Sequence, residues 1–225
     1  MKDICYIVGA GECEKLYINE DNKAYLIAAD GGMKYLEAAG LTADMVIGDF
    51  DSLKYVPKHD NVVVLPTEKD DTDMYAAVSQ GMLKGYKKFI IYGGMGGRFD
   101  HSMANCQLLN YIAESGCIGF IVEKDYSVTC IHNGNVSFSD EFIGTLSVFS
   151  SGTASKGVSI KGFKYEMING ELTNNHPLGV SNEFLEKEGN IEVKDGTLLI
   201  IFESNPRQVC DGIGTGIVFG GFENE

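Results

Sequence analysis

The sequence predicts an α/β N-terminal domain with a mainly parallel sheet over residues 1–125, followed by an all-β C-terminal sandwich domain over residues 126–204. Short apolar runs alternate with helix-like segments before residue 125, whereas β-branched runs separated by turn residues follow it. A chain of 225 residues, 44% of them apolar, is ample for one large core or two smaller ones. The Gly-rich tail, residues 205–225, is left without an assigned role.

Six apolar runs in the first half are typical of short strands, and three segments between them have helical spacing. The predicted strands are Ile4–Val8, Tyr25–Ala29, Met45–Ile47, Val62–Leu65, Phe89–Tyr92 and Ile118–Val122. The predicted helices are Met33–Ala39, Met74–Leu83 and Met103–Ala113. Because strands that alternate with helices form βαβ units, we expect these strands to run mostly parallel.

The second half combines β-branched runs with two dipeptides that favour tight turns. The predicted strands include Val128–His132, Val136–Phe138, Thr145–Phe149, Gly157–Ile160, Ile191–Val193 and Thr197–Phe202. Asn133-Gly134 and Asp195-Gly196 each stand between two such runs, and both dipeptides are typical of two-residue hairpin turns. We therefore expect two β-hairpins at these positions.

The charge balance excludes several classes of partner. With 18 basic and 32 acidic residues the net charge is −14, whereas binding to nucleic acid or to an anionic membrane needs clustered Lys and Arg.

The longest apolar run, Ala24–Ala29, has six residues, and a membrane-spanning helix needs about 20. The five apolar residues Ile4–Val8 are too few for a secretory signal, which needs roughly 7–15. We expect a cytoplasmic protein without nucleic-acid or membrane partners.

Four clusters rich in Asp or Gly follow predicted strands. They are Ala29-Asp30-Gly31-Gly32, Gly48-Asp49-Phe50-Asp51-Ser52, Lys69-Asp70-Asp71-Thr72-Asp73, and Gly93-Gly94-Met95-Gly96-Gly97-Arg98-Phe99-Asp100-His101. In an open parallel sheet the carboxyl ends of the strands line the ligand crevice. We therefore expect the four clusters to converge at one edge of the sheet.

The carboxylate clusters differ in how strongly they indicate a metal site. Asp49 and Asp51 lie two residues apart, so on an extended segment both carboxylates face one side and repel each other unless a cation lies between them. Asp30-Gly31-Gly32 alone is more typical of a turn and helix cap. Asp71 and Asp73 are equally compatible with capping the following helix and with binding.

The glycine-rich cluster indicates a phosphate site. Four glycines in five residues allow the backbone to approach a ligand and to direct N–H groups at anions. Arg98 closes this loop, and a guanidinium is well suited to clamp phosphate oxygens. His101 on its own is more typical of a hydrogen-bonding role than of a catalyst. Carboxylates suited to Mg²⁺, glycine amides and one arginine together indicate phosphoryl or pyrophosphoryl transfer.

The order and spacing of these four motifs resemble those of the thiamine pyrophosphokinase family. In the second half, Ile160-Lys161-Gly162-Phe163-Lys164-Tyr165 and Leu178-Gly179-Val180-Ser181-Asn182-Glu183-Phe184 are similar to the family's thiamine-binding domain. The resemblance runs from about residue 4 to about residue 203. It implies a homodimer with the active site at the interface, and transfer of the β,γ-pyrophosphoryl group of ATP to the hydroxyethyl oxygen of thiamine, which leaves AMP.

The resemblance also implies a role for each motif residue. Mg²⁺ would be held by Asp49, Asp51 and Asp73, which form the catalytic set together with Arg98 and Asp100. The ATP site would comprise Asp30, Gly31, Gly32, Lys69, Thr72, Gly93, Gly94, Gly96, Gly97, Arg98 and His101. The thiamine site would comprise Tyr165, Ser181 and Asn182. Asp100 either positions Arg98 or accepts the hydroxyl proton, and both alternatives stay open.

Two other functions are compatible with part of the sequence. Val46–Leu53 resembles the first motif of haloacid-dehalogenase-type phosphatases, with Asp49 as the nucleophile. That family has Thr or Val where Ser52 stands, and the resemblance leaves the Gly-rich cluster with Arg98 unexplained. The second alternative is a non-catalytic module that senses a nucleotide or thiamine.

Overall fold

The computed structural model describes residues 4–18, 24–50, 55–68 and 70–221, which divide into two compact units. The first unit contains the chain up to Leu108 together with Ile121–Glu123, and the second contains Leu109–Phe120 and the chain from Lys124 onward. In the part of the chain that the structure describes, no helix has the length and apolar character needed to cross a bilayer.

The first unit is built on a parallel sheet. Its strands are β1 (Cys5–Val8), β2 (Tyr25–Ala29), β3 (Met45–Gly48), β4 (Val62–Val64) and β5 (Lys88–Tyr92). The last two residues of β6 (Ile118–Val122) also belong to this unit. Strands β1 to β5 lie in the order β5-β1-β2-β3-β4, and all four pairings are parallel. The prediction of parallel βαβ units is confirmed for these strands.

Helices follow three of these strands, and their bounds depart from the predicted ones mainly at one end. They are α1 (Met33–Ala38), α2 (Asp73–Leu83) and α3 (Phe99–Glu114). Helix α3 begins about one turn before the predicted start at Met103. Its first turn is exposed from Phe99 to His101, so no apolar periodicity marks that turn in the sequence.

The central strands of this unit are buried because helices cover the sheet. All four residues of β1 are buried, as expected for a strand in the interior of a parallel sheet. Helix α2 packs closely through Gly81, where an added Cβ would lie 2.6 Å from the Phe89 ring and 3.1 Å from Cys5 Sγ. The apolar runs therefore sit in the core while their polar C-terminal extensions remain at the sheet edge.

The second unit is dominated by antiparallel strands. They are β7 (Tyr126–Phe138), β8 (Thr145–Ser150), β9 (Ala154–Lys161), β10 (Met167–Thr173), β11 (Gly179–Glu183), β12 (Gly189–Glu203) and β13 (Ile217–Gly221). The order β10-β9-β12-β7-β13 is extended by β8, which pairs with both β12 and β11. This β-rich half agrees with the sequence prediction, and the sandwich assignment stays a prediction.

The core of the second unit is a cluster of phenylalanine rings. Phe138 lies edge-on to Phe142, Phe163, Phe184 and Phe202, with ring centroids 5.1–6.4 Å apart. Edge-to-face contacts of this kind add to the free energy gained from burying apolar area. Phe138 lies in β7 and Phe202 lies in β12. These two strands therefore anchor the loops that carry the other rings.

The two predicted hairpins are wrong. Asn133-Gly134 lies inside β7 and Asp195-Gly196 lies inside β12. The register moves from Val193 opposite Gly134 to Thr197 opposite His132, so three residues of β12 face Asn133 alone. The Gly196 N–H donates to Asn133 Oδ1 at 2.9 Å and closes this β-bulge. The positive φ angles of Asn133 (44°) and Gly196 (118°) therefore serve a bulge between two long strands.

The C-terminal segment forms regular structure in the second unit. Helix α4 (Pro206–Gly212) is capped at its N-terminus by Asn205, whose side chain accepts a hydrogen bond from the Gln208 N–H at 3.0 Å. Strand β13 then pairs antiparallel with β7, from Ile217 opposite Phe138 onward. Because β13 pairs along the edge of β7, it covers backbone groups that an open edge would expose.

A glycine at the end of β2 allows two strand ends to approach each other. Asp30–Gly32 form one short 3-10 turn, in which a Cβ at Gly32 would lie 1.8 Å from the Val8 carbonyl oxygen. At the neighbouring Gly31 the nearest atom to an added Cβ is the Ala10 Cβ, at 3.2 Å. Backbone cannot yield at the first position, whereas a side chain can shift slightly at the second.

We expect Gly32→Ala to lower the free energy of unfolding by about 3 kcal/mol or more, because the overlap involves main-chain atoms. Gly31→Ala, the matched control, should cost about 1 kcal/mol or less. Urea unfolding followed by circular dichroism measures both. Equal stability of the two variants would contradict the close contact between the turn and β1.

Candidate active site

The C-terminal ends of the parallel strands surround one cavity of about 590 Å³ in the first unit. Its lining comes from five segments, each after a different strand: Gly9–Gly11, Ala29 with Asp30, Asp49, Thr67 with Asp71–Met74, and Gly93–Arg98 with His101 and Asn105. All four Asp/Gly clusters thus contribute to the same cavity, because parallel pairing brings the strand ends to one edge. The volume suits a ligand of nucleotide size.

One wall of the cavity is acidic. It carries four aspartates: Asp30, Asp49, Asp71 and Asp73. Asp30 has φ 47° and the buried Phe50, directly after Asp49, has φ 58°, so tight turns end both β2 and β3. For non-glycine residues such angles are strained, and strain of this kind concentrates at functional sites.

Part of the predicted metal site lies outside the described residues. This applies to Asp51, the third predicted Mg²⁺ ligand, and also to Lys69 of the predicted ATP site. Among the described residues no three His, Cys, Asp or Glu side chains form a group arranged to hold a metal ion. Asp49 and Asp73 nevertheless line the same cavity, and carboxylate oxygens are the donors that Mg²⁺ prefers.

The N-terminus of helix α2 opens onto this cavity. The Thr72 Oγ1 accepts a hydrogen bond from the Tyr75 N–H at 3.1 Å and caps the helix. Asp73 is the first residue of the helix, where the positive end of the helix dipole stabilises a carboxylate. Thr72 and Asp73 therefore have a structural role in the helix and also line the cavity.

Two glycine turns are joined backbone to backbone beneath the cavity. The Gly9 N–H donates to Tyr92 O at 2.8 Å, and the Gly11 N–H donates to Gly93 O at 3.1 Å. An added Cβ at Gly9 or Gly11 would lie 2.8 or 2.6 Å from the same Gly93 oxygen. Gly9-Ala10-Gly11 is not among the predicted site residues, although a Gly-x-Gly directly after the first predicted strand is a signal for such a turn.

A buried asparagine holds the glycine-rich loop from the other side. Asn105, in helix α3, is 7% exposed and its Nδ2 donates to Gly94 O at 2.6 Å. The Tyr35 hydroxyl likewise donates to Gly11 O at 2.7 Å. Both loops that approach the cavity are thus fixed through their carbonyl oxygens by side chains from helices.

Arg98 and Asp100 form an exposed ion pair at the mouth of the cavity. Arg98 Nε lies 3.2 Å from Asp100 Oδ1, and Nη2 lies 2.5 Å from Oδ2. Asp100 Oδ1 also accepts a hydrogen bond from the His101 N–H at 3.0 Å. The hydrogen bonds from Arg98 lower the pKa of Asp100, which makes this carboxylate a weaker base. Of the two alternatives for Asp100, the geometry favours positioning of Arg98.

The other predicted ATP-site residues are divided by the structure. Gly93, Gly94, Gly96, Gly97 and His101 line the cavity. Gly31 and Gly32 are buried and are not part of its lining. The small size of Gly32 serves the contact with β1 described above.

The predicted thiamine residues lie together in the second unit. The Asn182 side chain is buried and bridges the main chain of Tyr165: its Oδ1 accepts from the Tyr165 N–H at 2.9 Å, and its Nδ2 donates to Tyr165 O at 2.7 Å. Tyr165 itself is 61% exposed, with Lys164 Nζ 5.5 Å from its ring centroid. Ser181 is exposed with φ 60°. The buried Asn182 thus fixes the main chain of an exposed aromatic residue.

Comparison with known proteins gives two family matches in chain order. Residues 18–120 match the family described as thiamin pyrophosphokinase, catalytic domain. Residues 135–198 match the family described as thiamin pyrophosphokinase, vitamin B1 binding domain. The first match includes all four Asp/Gly clusters, and the second includes Tyr165 and Asn182.

Individual relatives show the same similarity. The chain is 27% identical to thiamine pyrophosphokinase of Bacillus subtilis over 80% of this chain and 88% of that protein. It is 28% identical to thiamin pyrophosphokinase 1 of Caenorhabditis elegans over 72% of each chain. The crystal structure of the Bacillus subtilis protein has a TM-score of 0.78 at 25% identity, covering 91% of this chain and all of the other.

We expect Asn105→Ala to lower the free energy of unfolding by about 1–3 kcal/mol, because it leaves the buried Gly94 carbonyl without its donor. Gln107→Ala, an exposed change on the same helix, should stay within about 0.5 kcal/mol of the parent. Chemical denaturation of the three proteins measures the difference. If both substitutions had the same effect, the Asn105 hydrogen bond would not stabilise the loop.

Proposed function

The chain belongs to the thiamine pyrophosphokinase family and is an enzyme of thiamine diphosphate synthesis, and from this premise we propose that its Asp/Gly cavity binds Mg²⁺ and ATP for pyrophosphoryl transfer to thiamine. The observation that carries this proposal is the convergence of an acidic wall, a glycine-rich loop and Arg98 on one cavity.

The donor set of the cavity suits a hard divalent cation bound together with a polyphosphate. A polyphosphate alone would be repelled by four aspartates, so its binding here requires positive charge between the two. We propose Asp49 and Asp73 as ligands, together with Asp51 from the segment outside the described residues. When bound, Mg²⁺ supplies charge neutralisation of the polyphosphate oxygens.

The polyphosphate would lie on the glycine-rich loop, where the backbone can approach closely. Gly96 and Gly97 are exposed and have φ of 80° and 64°, a region in which glycine is not strained. Arg98 follows directly and would clamp phosphate oxygens with its guanidinium, which Asp100 holds in two hydrogen bonds. Lys69 and His101 are proposed to add contacts to the same ligand.

The reaction forms a bond between the hydroxyethyl oxygen of thiamine and the β-phosphorus of ATP. It breaks the bond from the β-phosphorus to the α,β-bridging oxygen, and that oxygen leaves as part of AMP. The hydroxyl proton is released to solvent. Because Arg98 lowers the pKa of Asp100, we assign to Asp100 the orientation of Arg98 and not proton removal. Positioning and charge neutralisation then supply the rate enhancement.

We propose that thiamine binds to the second unit, with its rings against Tyr165. Asn182 would act through Tyr165, since its side-chain hydrogen bonds go to the main chain of that residue and to the Glu183 N–H. Ser181, which is exposed beside Asn182, is proposed to contact the ligand directly. The match to the vitamin B1 binding domain supports this placement.

We further propose a homodimer in which the active site lies at the interface. Exposed apolar side chains in the second unit support an interface: Tyr165, Ile168, Leu178, Val180 and Leu185. All five lie within residues 165–185 of the chain, and exposed apolar groups that share one surface are typical of an interface with another protein chain. We propose a cytoplasmic location because none of the six cysteines forms a disulfide, which is the usual state of thiols in a reducing compartment.

The phosphatase alternative is not favoured. The match to the catalytic domain extends over residues 18–120 and includes the glycine-rich loop and Arg98, which the phosphatase resemblance leaves unexplained. A purely sensing module is not favoured either, because the same match indicates an enzyme.

The function is tested by ³¹P NMR of a mixture of protein, ATP, Mg²⁺ and thiamine. We expect AMP and thiamine diphosphate as products, and a loss of rate of at least about 10²-fold in Asp49→Asn, because a carboxylate of the cation site is removed. Asp70→Asn, an exposed neighbour outside the cavity lining, is the control and should retain most of the rate. Release of free phosphate, or full activity of Asp49→Asn, would contradict the proposal.

The shared site is tested by mixing two inactive variants. If each site combines the cavity of one subunit with Tyr165 of the other, a dimer of Asp49→Asn and Tyr165→Ala/Asn182→Ala subunits has one intact site. With half of the dimers mixed, about a quarter of the parent activity should return. If subunits exchange, as mass spectrometry can verify, and no activity returns, each site is built within a single chain.

A further inference from the structure

One carboxyl group contacts the glycine-rich loop without lining the cavity. Glu123 directly follows β6 in the first unit, and the Met95 N–H of the loop donates a hydrogen bond to its carboxylate. Strand β6 also supports the loop through Ile121. An added Cβ at Gly94 would lie 3.0 Å from Ile121 Cγ2. Because the Met95 N–H points at Glu123, it is not available to the polyphosphate.

The surroundings of Glu123 disfavour its negative charge. Its Oε1 is buried and has no hydrogen-bond partner among the described residues. No Lys or Arg in the described chain forms an ion pair with it. The side chain of Glu12 lies against the same loop, 3.3 Å from the position of an added Cβ at Gly96, and adds a like charge.

Burial, together with the charge of Glu12, raises the pKa of Glu123 to about 7, although the Met95 N–H acts in the opposite direction. The other titratable group that faces it is Cys13, whose pKa is raised to about 11 by burial and by Glu123. Cys13 therefore stays a neutral thiol near pH 7. Glu12 and Glu123 are the charges that decide the protonation of this cluster.

We propose that Glu123 is a positioning residue that supports the glycine-rich loop as a neutral carboxylic acid when the polyphosphate of ATP is bound, so that nucleotide binding is coupled to proton uptake at Glu123. This inference rests on the proposed binding of ATP in the cavity. A neutral carboxyl keeps a carbonyl oxygen that accepts from the Met95 N–H. It also removes a negative charge that would face the polyphosphate across a single loop.

The direction of the pH dependence follows from linkage. A nucleotide that favours the protonated carboxyl raises its pKa above the value of about 7 in the free protein. The gain in nucleotide affinity from Glu123 is then fully present at pH values below the pKa of about 7. The advantage is lost as the pH rises through 7 toward the pKa of the complex.

The test measures Mg-ATP binding to the full chain by isothermal titration calorimetry in two buffers with different heats of ionisation. At pH 7.5 the parent should take up more protons than Glu123→Gln, in which the amide oxygen still accepts from Met95 without a charge. Titration of the nucleotide itself is common to both proteins and cancels in the difference. Between pH 6 and 8.5 the affinity of the parent should fall about fivefold more than that of Glu123→Gln.

Two further variants separate positioning from a general effect on structure. Glu123→Ala removes the acceptor as well as the charge and should weaken binding at every pH. Glu12→Gln removes the neighbouring like charge, so the midpoint of the pH dependence should move to lower pH while the dependence itself persists. This exposed position also keeps the test usable if changes at Glu123 prevent folding.

The possible results distinguish the inference from the proposed function. If the parent does not bind Mg-ATP, the proposed function fails. If it binds Mg-ATP with the same proton uptake as Glu123→Gln, or if Glu12→Gln leaves the midpoint unchanged, the role of Glu123 is wrong while ATP binding stands.

Discussion

The cavity depends on the backbone contact between the turns that end β1 and β5. Gly9 and Gly11 donate to carbonyl oxygens of Tyr92 and Gly93, and no side chain fits between the two turns. This contact is available only because the two strands are parallel and in register, with Val8 opposite Tyr92. A loop held at this point by main-chain bonds can present its exposed glycines to a ligand without losing its shape.

Electrostatics then determine what such a cavity can accept. Four aspartates beside one arginine disfavour a bare anion and favour a cation accompanied by an anion. The Arg98 guanidinium is held by Asp100 in solvent, where water screens the pair and a ligand can still approach it. The carboxyl of Glu123, by contrast, is partly buried, bonds to the Met95 N–H of the same loop and does not line the cavity. Arg98 and Asp100 are thus surrounded by water, whereas the Glu123 carboxyl lies in surroundings of lower dielectric constant.

The second unit solves a different problem, the presentation of an exposed aromatic ring. Tyr165 could adopt many conformations on a surface loop, but Asn182 fixes its backbone through both ends of one amide. Phe163 and Phe184 lie on either side of this clamp in sequence, and both rings are buried in the phenylalanine cluster. The apolar core therefore fixes both ends of the polar clamp, and the clamp fixes the main chain from which the Tyr165 ring extends.

The amino-acid sequence predicted the strands and helices of the first unit, parts of β7, β8, β9 and β12 in the second, and the chemistry of the four clusters, because apolar periodicity and residue type are local properties. It also determined that the clusters share one edge, since strand-helix alternation requires parallel pairing. It did not predict β10, β11, β13 or α4. The partner of each residue, however, depends on how the chain folds in space. Asn133-Gly134 became a bulge because β12 lies beside β7, and Asn105, Glu123 and Asn182 acquired roles from loops distant in sequence. Hydrogen bonds and desolvation act between neighbours in space, and a linear pattern does not specify those neighbours.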